Sequence, residues 1–157
     1  MTIKLLAIGK TDDHMLQHLI DTYVNRLGHY NKFEVEIISD LKKTKNLDTK
    51  QQKIKEGKLI LEKLSASDFV VLLDENGKQY SSEGFSEFIQ KRLNSGMKQL
   101  FFIIGGPYGF SDEVYKQAQA KLSLSKMTFS HQMVRLFFVE QLYRAFTILK
   151  NEPYHHK

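Results

Sequence analysis

Short apolar runs alternate with amphipathic segments along the whole chain, and this alternation limits the folds that the chain can adopt. The apolar runs predict strands at residues 2–8, 33–38, 69–73, 99–104 and 122–124, the third of them ended by a turn at 74–77. The amphipathic segments predict a helix from Asp12 or Asp13 to Gly28 and further helices at 50–64, 83–93, 111–119 and 131–150. Because strands joined through helices pair in parallel, we expect an α/β fold, a mostly parallel sheet with helices on both faces.

Composition narrows the class of protein. A chain of 157 residues that is 41% hydrophobic and 26% charged is typical of one soluble globular domain, which we expect to span residues 1–157. No apolar window is long enough to span a membrane and the N-terminus has no signal-peptide pattern, so we expect a cytoplasmic protein. Cys is absent, which excludes disulfides and thiolate metal sites, and the His and carboxylate spacing predicts no metal.

The positive charge is concentrated in residues 42–58, here called the basic segment. It contains seven lysines and only two acidic residues, Asp48 and Glu56, and the whole chain carries a net charge of +5. Dense lysine is expected of a protein that binds a polyanion such as RNA, because neutralised phosphates release counterions. A solvated helix and loop would show the same charge run. The candidate RNA-binding residues are Lys42, Lys43, Lys45, Lys50 and Lys53.

Three late strands end in loops that could together form a ligand pocket. In parallel sheets, ligands bind beyond the carboxyl ends of the strands, so the loops after Leu73, Ile104 and Leu124 are the candidates. The second, here called the glycine loop, is Gly105-Gly106-Pro107-Tyr108-Gly109, and it matches neither the dinucleotide fingerprint nor the phosphate loop. A glycine-rich exit alone is equally compatible with a tight turn. The third mixes main-chain donors and acceptors with apolar side chains, which suits an adenine ring.

Two stretches near the C-terminus carry a resemblance to a known family. They are 124–135, LSKMTFSHQMVR, and 140–145, EQLYRA, and the similarity extends from the first strand to Pro153-Tyr154-His155. In these residues the chain resembles the SPOUT-class methyltransferases, and within them the type that methylates N-3 of a pseudouridine in large-subunit ribosomal RNA. The tail departs from the family pattern because its His is doubled, as Tyr154-His155-His156-Lys157.

The resemblance implies a fold, a cofactor and an assembly. The fold would be an α/β sheet whose C-terminal part forms a trefoil knot, which no sequence pattern could predict because chains generally do not thread loops. The cofactor would be S-adenosylmethionine, bound in the knot, and the enzyme would be a homodimer acting on ribosomal RNA. Carried over by position, the cofactor contacts fall on Leu73, Gly105, Leu124, Ser125, Lys126, Met127, Thr128 and Phe129.

Four residues are candidates for catalysis. Methyl transfer needs an acceptor nitrogen that is aligned and free of its proton, so the protein must position and deprotonate it. His131 directly follows the cofactor loop and is the candidate general base, although a His at a helix start could equally cap or pack. Arg135, four residues later, would share its helix face and orient a base or phosphate. Tyr154 and His155 could fold over the target base, although chain ends are often disordered.

The last predicted helix and its arginines bear on assembly. Apolar residues occupy more than one of its faces, which indicates burial on several sides, either by a partner subunit or within the core of a monomer. Arg144 lies four residues after Glu140 and could form a helical ion pair, and Arg135 and Arg144 are placed on opposite sides of the helix. The main prediction is a methyltransferase; a non-catalytic RNA-binding or ribosome-binding module and a nucleotide-binding enzyme of Rossmann type are the alternatives.

Overall fold

A computed structural model describes residues 1–156, and Lys157, at the end of the predicted domain, lies outside the described residues. Five strands form the sheet: β1 Thr2–Ile8, β2 Phe33–Ile38, β3 Phe69–Gln79, β4 Gln99–Ile104 and β5 Ala120–Ser123. Five α-helices connect and follow them: α1 His14–Leu27, α2 Thr49–Leu61, α3 Ser82–Leu93, α4 Asp112–Gln117 and α5 Met133–Leu149. A short 3-10 helix, Thr44–Asn46, precedes α2.

The strands form one sheet in the order β2-β1-β4-β3-β5, and every neighbouring pair is parallel. The predicted α/β class is therefore confirmed. Since all strands run the same way, all five carboxyl ends lie along one edge of the sheet. This edge, here called the carboxyl edge, brings the glycine loop close to the loops after β3 and β5.

Two apolar cores pack against the two faces of the sheet. Alternate strand residues such as Leu5 and Phe102 face α1, α3 and α5, and the residues between them, such as Leu6 and Phe101, face α2 and α4. This alternation explains why the central strands β1 and β4 are largely apolar, since both of their faces are covered. The edge strand β2 differs: it carries Glu34 and Glu36 and leaves Val35 and Ile37 exposed. Phe138 of α5 is fully buried, with its ring centroid 4.7 Å from that of Phe102. A buried side chain of this kind contributes about 1.5–3 kcal/mol to the free energy of unfolding.

β3 is longer than its sequence predicts. Residues 74–77 read as a turn that ends the strand, but the strand continues to Gln79, and both Leu73 and Lys78 pair with Leu122 of β5. The polar residues between them form an excursion from the strand, here called the β3 excursion. Gly77 is required where the excursion rejoins β5, because a Cβ there would lie 2.6 Å from the main-chain carbon of Leu122.

Within residues 1–156, α1, α2 and α3 each begin at a side chain that caps them, whereas α4 and α5 make no side-chain cap hydrogen bond. Asp13 accepts main-chain hydrogen bonds from Met15 and Leu16 at the start of α1, and Asp48 forms a capping box with Gln51 at the start of α2. The prediction that the last helix begins at residue 131 was wrong by two residues. α5 begins at Met133 because Gln132 uses its side chain in long-range contacts with the Asp12 N–H and the Lys10 carbonyl, at 3.0 and 3.2 Å.

Within residues 1–156, every helix is too short or too polar to cross a membrane.

Candidate active site

A cavity of about 590 Å³ opens at the carboxyl edge, between the β3 excursion, the glycine loop and the loop that follows β5. Its volume lies within the range of small-molecule sites, roughly 300–1,000 Å³. The cavity therefore forms where the ends of the parallel strands were predicted to place it.

Most of the predicted cofactor residues line this cavity. They are Leu73, Gly105, Leu124, Ser125, Met127, Thr128 and Phe129. Lys126 is the exception, because it is not among the residues that form the wall. The structure thus brings seven of the eight predicted positions together, and what they bind remains a prediction.

The loop between β5 and α5, residues 124–132, is shaped by its own serines. The Ser123 hydroxyl donates to the Ser125 carbonyl at 2.9 Å, and the Ser125 hydroxyl accepts from the Met127 N–H at 2.9 Å. Within residues 1–156, the N–H groups of Thr128 and Phe129 make no hydrogen bond, so they are free to bind a ligand. The Phe129 ring packs on Phe137 of α5, with centroids 4.8 Å apart.

Another part of the cavity wall is formed by the glycine loop, α4 and the β3 excursion. A Cβ at Gly105 would lie 3.1 Å from the Phe110 ring, so the main chain of the glycine loop passes tightly over that side chain. The Tyr115 hydroxyl donates to the Asp74 carboxylate, and both residues line the wall. Burial raises the pKa of Tyr115 well above its ordinary value, and the bond to Asp74 adds to this. The phenol therefore stays protonated and holds α4 to the β3 excursion.

His131 lies in the cavity wall, directly before the start of α5. Since α5 begins at Met133, His131 is outside the helix, and the prediction that it shares a helical face with Arg135 was wrong. What joins the two residues is a hydrogen bond from the Arg135 Nε to the His131 carbonyl at 3.3 Å. The His131 imidazole is thus available to the cavity, and its role as a base remains a prediction.

The Arg135 side chain points to the sheet instead of the cavity and is only 2% exposed. Its two terminal nitrogens donate to the carbonyls of Gly9 and Ile8, each at 2.8 Å, where β1 ends. A third contact joins it to the Thr11 hydroxyl at 3.3 Å. Burial lowers the pKa of Arg135, and the nearby carboxylates of Asp12 and Asp40 oppose this effect. The geometry places Arg135 as a tie between α5 and β1.

The C-terminal tail is docked on the protein's own helices. The Tyr154 hydroxyl donates to the Glu140 carboxylate at 2.9 Å and lies 3.3 Å from the Tyr23 hydroxyl. His155 Nε2 lies 3.0 Å from the Glu83 carboxylate. Burial raises the pKa of Tyr154, with further contributions from its bonds to Tyr23 and Glu140. Tyr154 and His155 are therefore ordered residues that stand apart from the cavity wall of their own chain.

Arg144 forms the helical ion pair that its spacing predicts. Its terminal nitrogen lies 2.5 Å from the Glu140 carboxylate and its Nε donates to the same oxygen at 3.2 Å. The other terminal nitrogen is 3.4 Å from His155 Nδ1. Arg144 therefore joins the tail to α5.

The basic segment starts at the carboxyl edge, after β2. The side chains of Lys42, Lys43, Lys45 and Lys50 are exposed, and Lys53 is half-buried. Within residues 1–156 these five lysines make no ion pair. Their charge is therefore available to a partner on the side of the sheet where the cavity opens.

Sequence reasoning missed three polar residues near the cavity. Asp74 and Tyr115 are hydrogen-bonded to each other in its wall, and Glu56 lies buried under the glycine loop. The signal for Asp74 was its position directly after a buried strand. Glu56 gave a weaker signal, because on a lysine-rich helix it reads only as a counter-charge.

The comparisons with known proteins agree with this geometry. A family model described as "Predicted SPOUT methyltransferase" matches residues 1–155. The chain is 74% identical to "Ribosomal RNA large subunit methyltransferase H" of Christiangramia forsetii and 68% identical to the protein of that name in Flavobacterium johnsoniae, over the full length of each.

The fold is also similar to a solved structure, "a probable methylase family protein from Haemophilus influenzae Rd KW20". The TM-score is 0.54 at 12% identity, and the match covers 95% of this chain and 66% of that one. At this identity the likeness shows the fold alone. Because the family match spans almost the whole sequence and the relatives match it end to end, the chain belongs to the SPOUT methyltransferase family.

Proposed function

We propose that this chain uses S-adenosylmethionine to methylate N-3 of a pseudouridine in large-subunit (23S) ribosomal RNA, as a single cytoplasmic domain with the knot that its family implies. The observation that carries the proposal is the carboxyl-edge cavity, whose wall contains seven of the eight residues predicted to contact the cofactor. Two full-length relatives bear a ribosomal RNA methyltransferase name, which supports the choice of substrate.

The residues present fit S-adenosylmethionine. An adenine ring needs main-chain donors and acceptors at its edge and apolar groups on its faces. The free N–H groups of Thr128 and Phe129 can bind the edge of the ring, and the side chains of Leu73 and Leu124 can pack on its faces. Leu73, Gly105, Leu124, Ser125 and residues 127–129 would therefore hold the cofactor, whereas Lys126 lies outside the cavity wall.

The reaction divides into alignment and proton removal. S-adenosylmethionine supplies a methyl group on a positively charged sulfur, so the N-3 to methyl bond forms as the carbon to sulfur bond breaks and its electron pair stays on sulfur. The N-3 proton must leave, and we propose that the imidazole of His131 accepts it, since His131 lies in the wall of the cavity. Solvent then takes the proton from His131.

Arg135 contributes by positioning His131. Four of its five N–H donors are used, by the carbonyls of Ile8, Gly9 and His131 and by the Thr11 hydroxyl, and the side chain is buried, so it has little capacity left for a phosphate. By holding the His131 main chain against the end of β1, it fixes where the imidazole stands. This replaces the predicted contact with a base or phosphate as our proposal for Arg135.

The proposed homodimer rests on exposed apolar side chains next to the cavity. Met133 and Phe137 of α5 are each 37% exposed, and Met15 and Leu19 of the adjoining α1 are 69% and 49% exposed. Covering such a surface stabilises association. We propose that a second copy covers it, so that Tyr154 and His155 act at the cavity of the other subunit.

Calorimetry tests the proposed function directly. S-adenosylmethionine is expected to bind saturably, because it matches the cavity, whereas NAD and ATP are expected to show no saturable binding. Absence of S-adenosylmethionine binding would favour a non-catalytic RNA-binding module, and tight NAD binding would favour a Rossmann-type enzyme. Mass spectrometry of ribosomal RNA from cells lacking this protein identifies the nucleotide.

Replacing His131 by Ala is expected to lower kcat by roughly 100-fold or more, as for loss of a general base. Cofactor affinity should stay within about twofold, since the proposed adenine contacts come from main chain. The measurement is single-turnover methyl transfer beside calorimetry of the variant. An unchanged kcat would remove His131 from the mechanism.

Changing Lys42, Lys43, Lys45 and Lys50 together to Gln is expected to weaken RNA binding and to flatten its salt dependence by up to about 0.9 in log–log slope for each lost phosphate contact. A filter-binding series from low to high salt measures this. Changing Lys32, Lys91, Lys98 and Lys150 to Gln, four exposed lysines outside the basic segment, is the matched control. A slope equal to that of the unaltered protein would exclude the basic segment from the interface.

The oligomeric state is expected to be a dimer in sedimentation experiments, and Phe137→Glu is expected to shift it to monomer because a carboxylate would be buried in the interface. A monomer at all concentrations in the unaltered protein contradicts the dimer. Lys150→Glu serves as an exposed control at the other end of α5.

A further inference from the structure

A carboxyl group lies buried under the glycine loop, and the proposed mechanism gives it no task. Glu56 of α2 is 3% exposed, although α2 is otherwise a lysine-rich helix with a solvated face. One carboxyl oxygen accepts a hydrogen bond from the Gln52 side chain at 3.0 Å. The other, Oε2, has no hydrogen-bond partner within residues 1–156. A buried polar atom without a partner costs about 1–3 kcal/mol, more when it is charged, so its presence requires an explanation.

Glycines on both sides of this contact bring Glu56 to the loop. A Cβ at Gly106 would lie 2.5 Å from Oε2 of Glu56, so the glycine leaves room for the carboxyl group behind the loop. The neighbouring Gly57 likewise allows α2 to approach α4, because a Cβ there would lie 2.3 Å from the Ser111 hydroxyl. The close approach of α2 is therefore specific to residues 56 and 57, and it places a carboxyl group directly behind the cavity wall.

The charges around Glu56 come from two sides. Burial raises the pKa of Glu56, and the nearby Asp40 carboxylate raises it further. The hydrogen bond from Gln52 and the charge of His131 lower the same pKa. Asp40 belongs to the segment after β2, and His131 to the loop before α5. Gly106 and His131 line the same cavity. Because Gly106 rests on the Glu56 carboxyl group, that group lies directly behind the wall of the cavity that His131 also lines.

We propose that Glu56 is a positioning residue for methyl transfer, whose buried carboxylate stabilises the positive charge that His131 gains when it accepts the N-3 proton. In this step the N-3–H bond breaks and an imidazole N–H bond forms, while the carboxylate takes no proton. A buried negative charge behind the cavity acts strongly because little water screens it. The inference rests on the proposed function of His131.

The buried position of Glu56 also predicts that it does not bind the cofactor directly. Its Oε2 is fully buried behind Gly106, so it does not contact a ligand in the cavity. Replacing it should therefore alter the rate of proton removal and leave cofactor affinity nearly unchanged. A side chain that only supported the glycine loop would alter affinity and stability together.

Glu56→Gln is the test, since it removes the charge and keeps an acceptor for Gln52. We expect kcat to fall about tenfold or more, with cofactor affinity within about twofold. Glu62→Gln, the same change at the exposed end of α2, is the control and should keep kcat. In a double-mutant cycle, Glu56→Gln should cost little further rate once His131 is Ala, because the two act as a unit.

Stability supplies the second readout. Because the folded-state pKa of Glu56 is raised, the favourable contribution of the protonated carboxyl is present at low pH and is lost as pH rises through that pKa. Glu56→Gln and the apolar Glu56→Met are therefore expected to melt about 2–4 °C above the unaltered protein at pH 8, with a smaller gain near pH 5.

Three results would overturn the proposal: an unchanged kcat for Glu56→Gln, additive losses in the cycle with His131→Ala, or lower stability of both variants at pH 8. If the unaltered protein binds no S-adenosylmethionine and methylates no RNA, the proposed function fails and this inference fails with it. If the unaltered protein is active and Glu56→Gln is equally active, only the role of Glu56 fails.

Discussion

The buried guanidinium of Arg135 is the interaction on which the candidate site depends. A charge taken out of water is costly unless its hydrogen bonds are made, and here carbonyls at the end of β1 and at His131 accept them. The first turn of α5 is therefore held to the carboxyl edge of the sheet. Residues 124–132 are fixed at one end by β5 and at the other by Arg135, so a loop without regular structure can keep the shape of a binding site.

The sheet and its helices could be predicted because the central strands β1 and β4, buried on both faces, are largely apolar, and the edge strand β2 alternates apolar residues with Glu34 and Glu36. The continuation of β3 could not, since Asp74 to Gly77 carries the polar and glycine signals of a turn. Pairing with β5, which is remote in sequence, decides the outcome. The start of α5 was missed for a similar reason: Gln132 is engaged by Asp12 and Lys10, more than 100 residues away.

The site was partly predictable for an equally physical reason. Parallel strands bring their carboxyl ends together, so the loops around Leu73, Gly105 and Leu124 could be expected to meet, and they do. The directions of individual side chains in the site could not be predicted as well. The four-residue spacing of His131 and Arg135 suggested a shared helical face, but the partner of Arg135 is β1. Glu56 was hidden among lysines, although two neighbouring glycine contacts bury it. The loops at the carboxyl edge form the cavity. In our proposal, the buried carboxylate of Glu56 behind it controls how readily His131 accepts a proton.

The most direct measurement of this account is a crystal structure of the protein with S-adenosylmethionine. The account predicts the cofactor in the carboxyl-edge cavity, with its adenine edge on the main chain of residues 124–129 and its methyl group toward His131. An empty cavity with the cofactor bound elsewhere, at full occupancy, would contradict it.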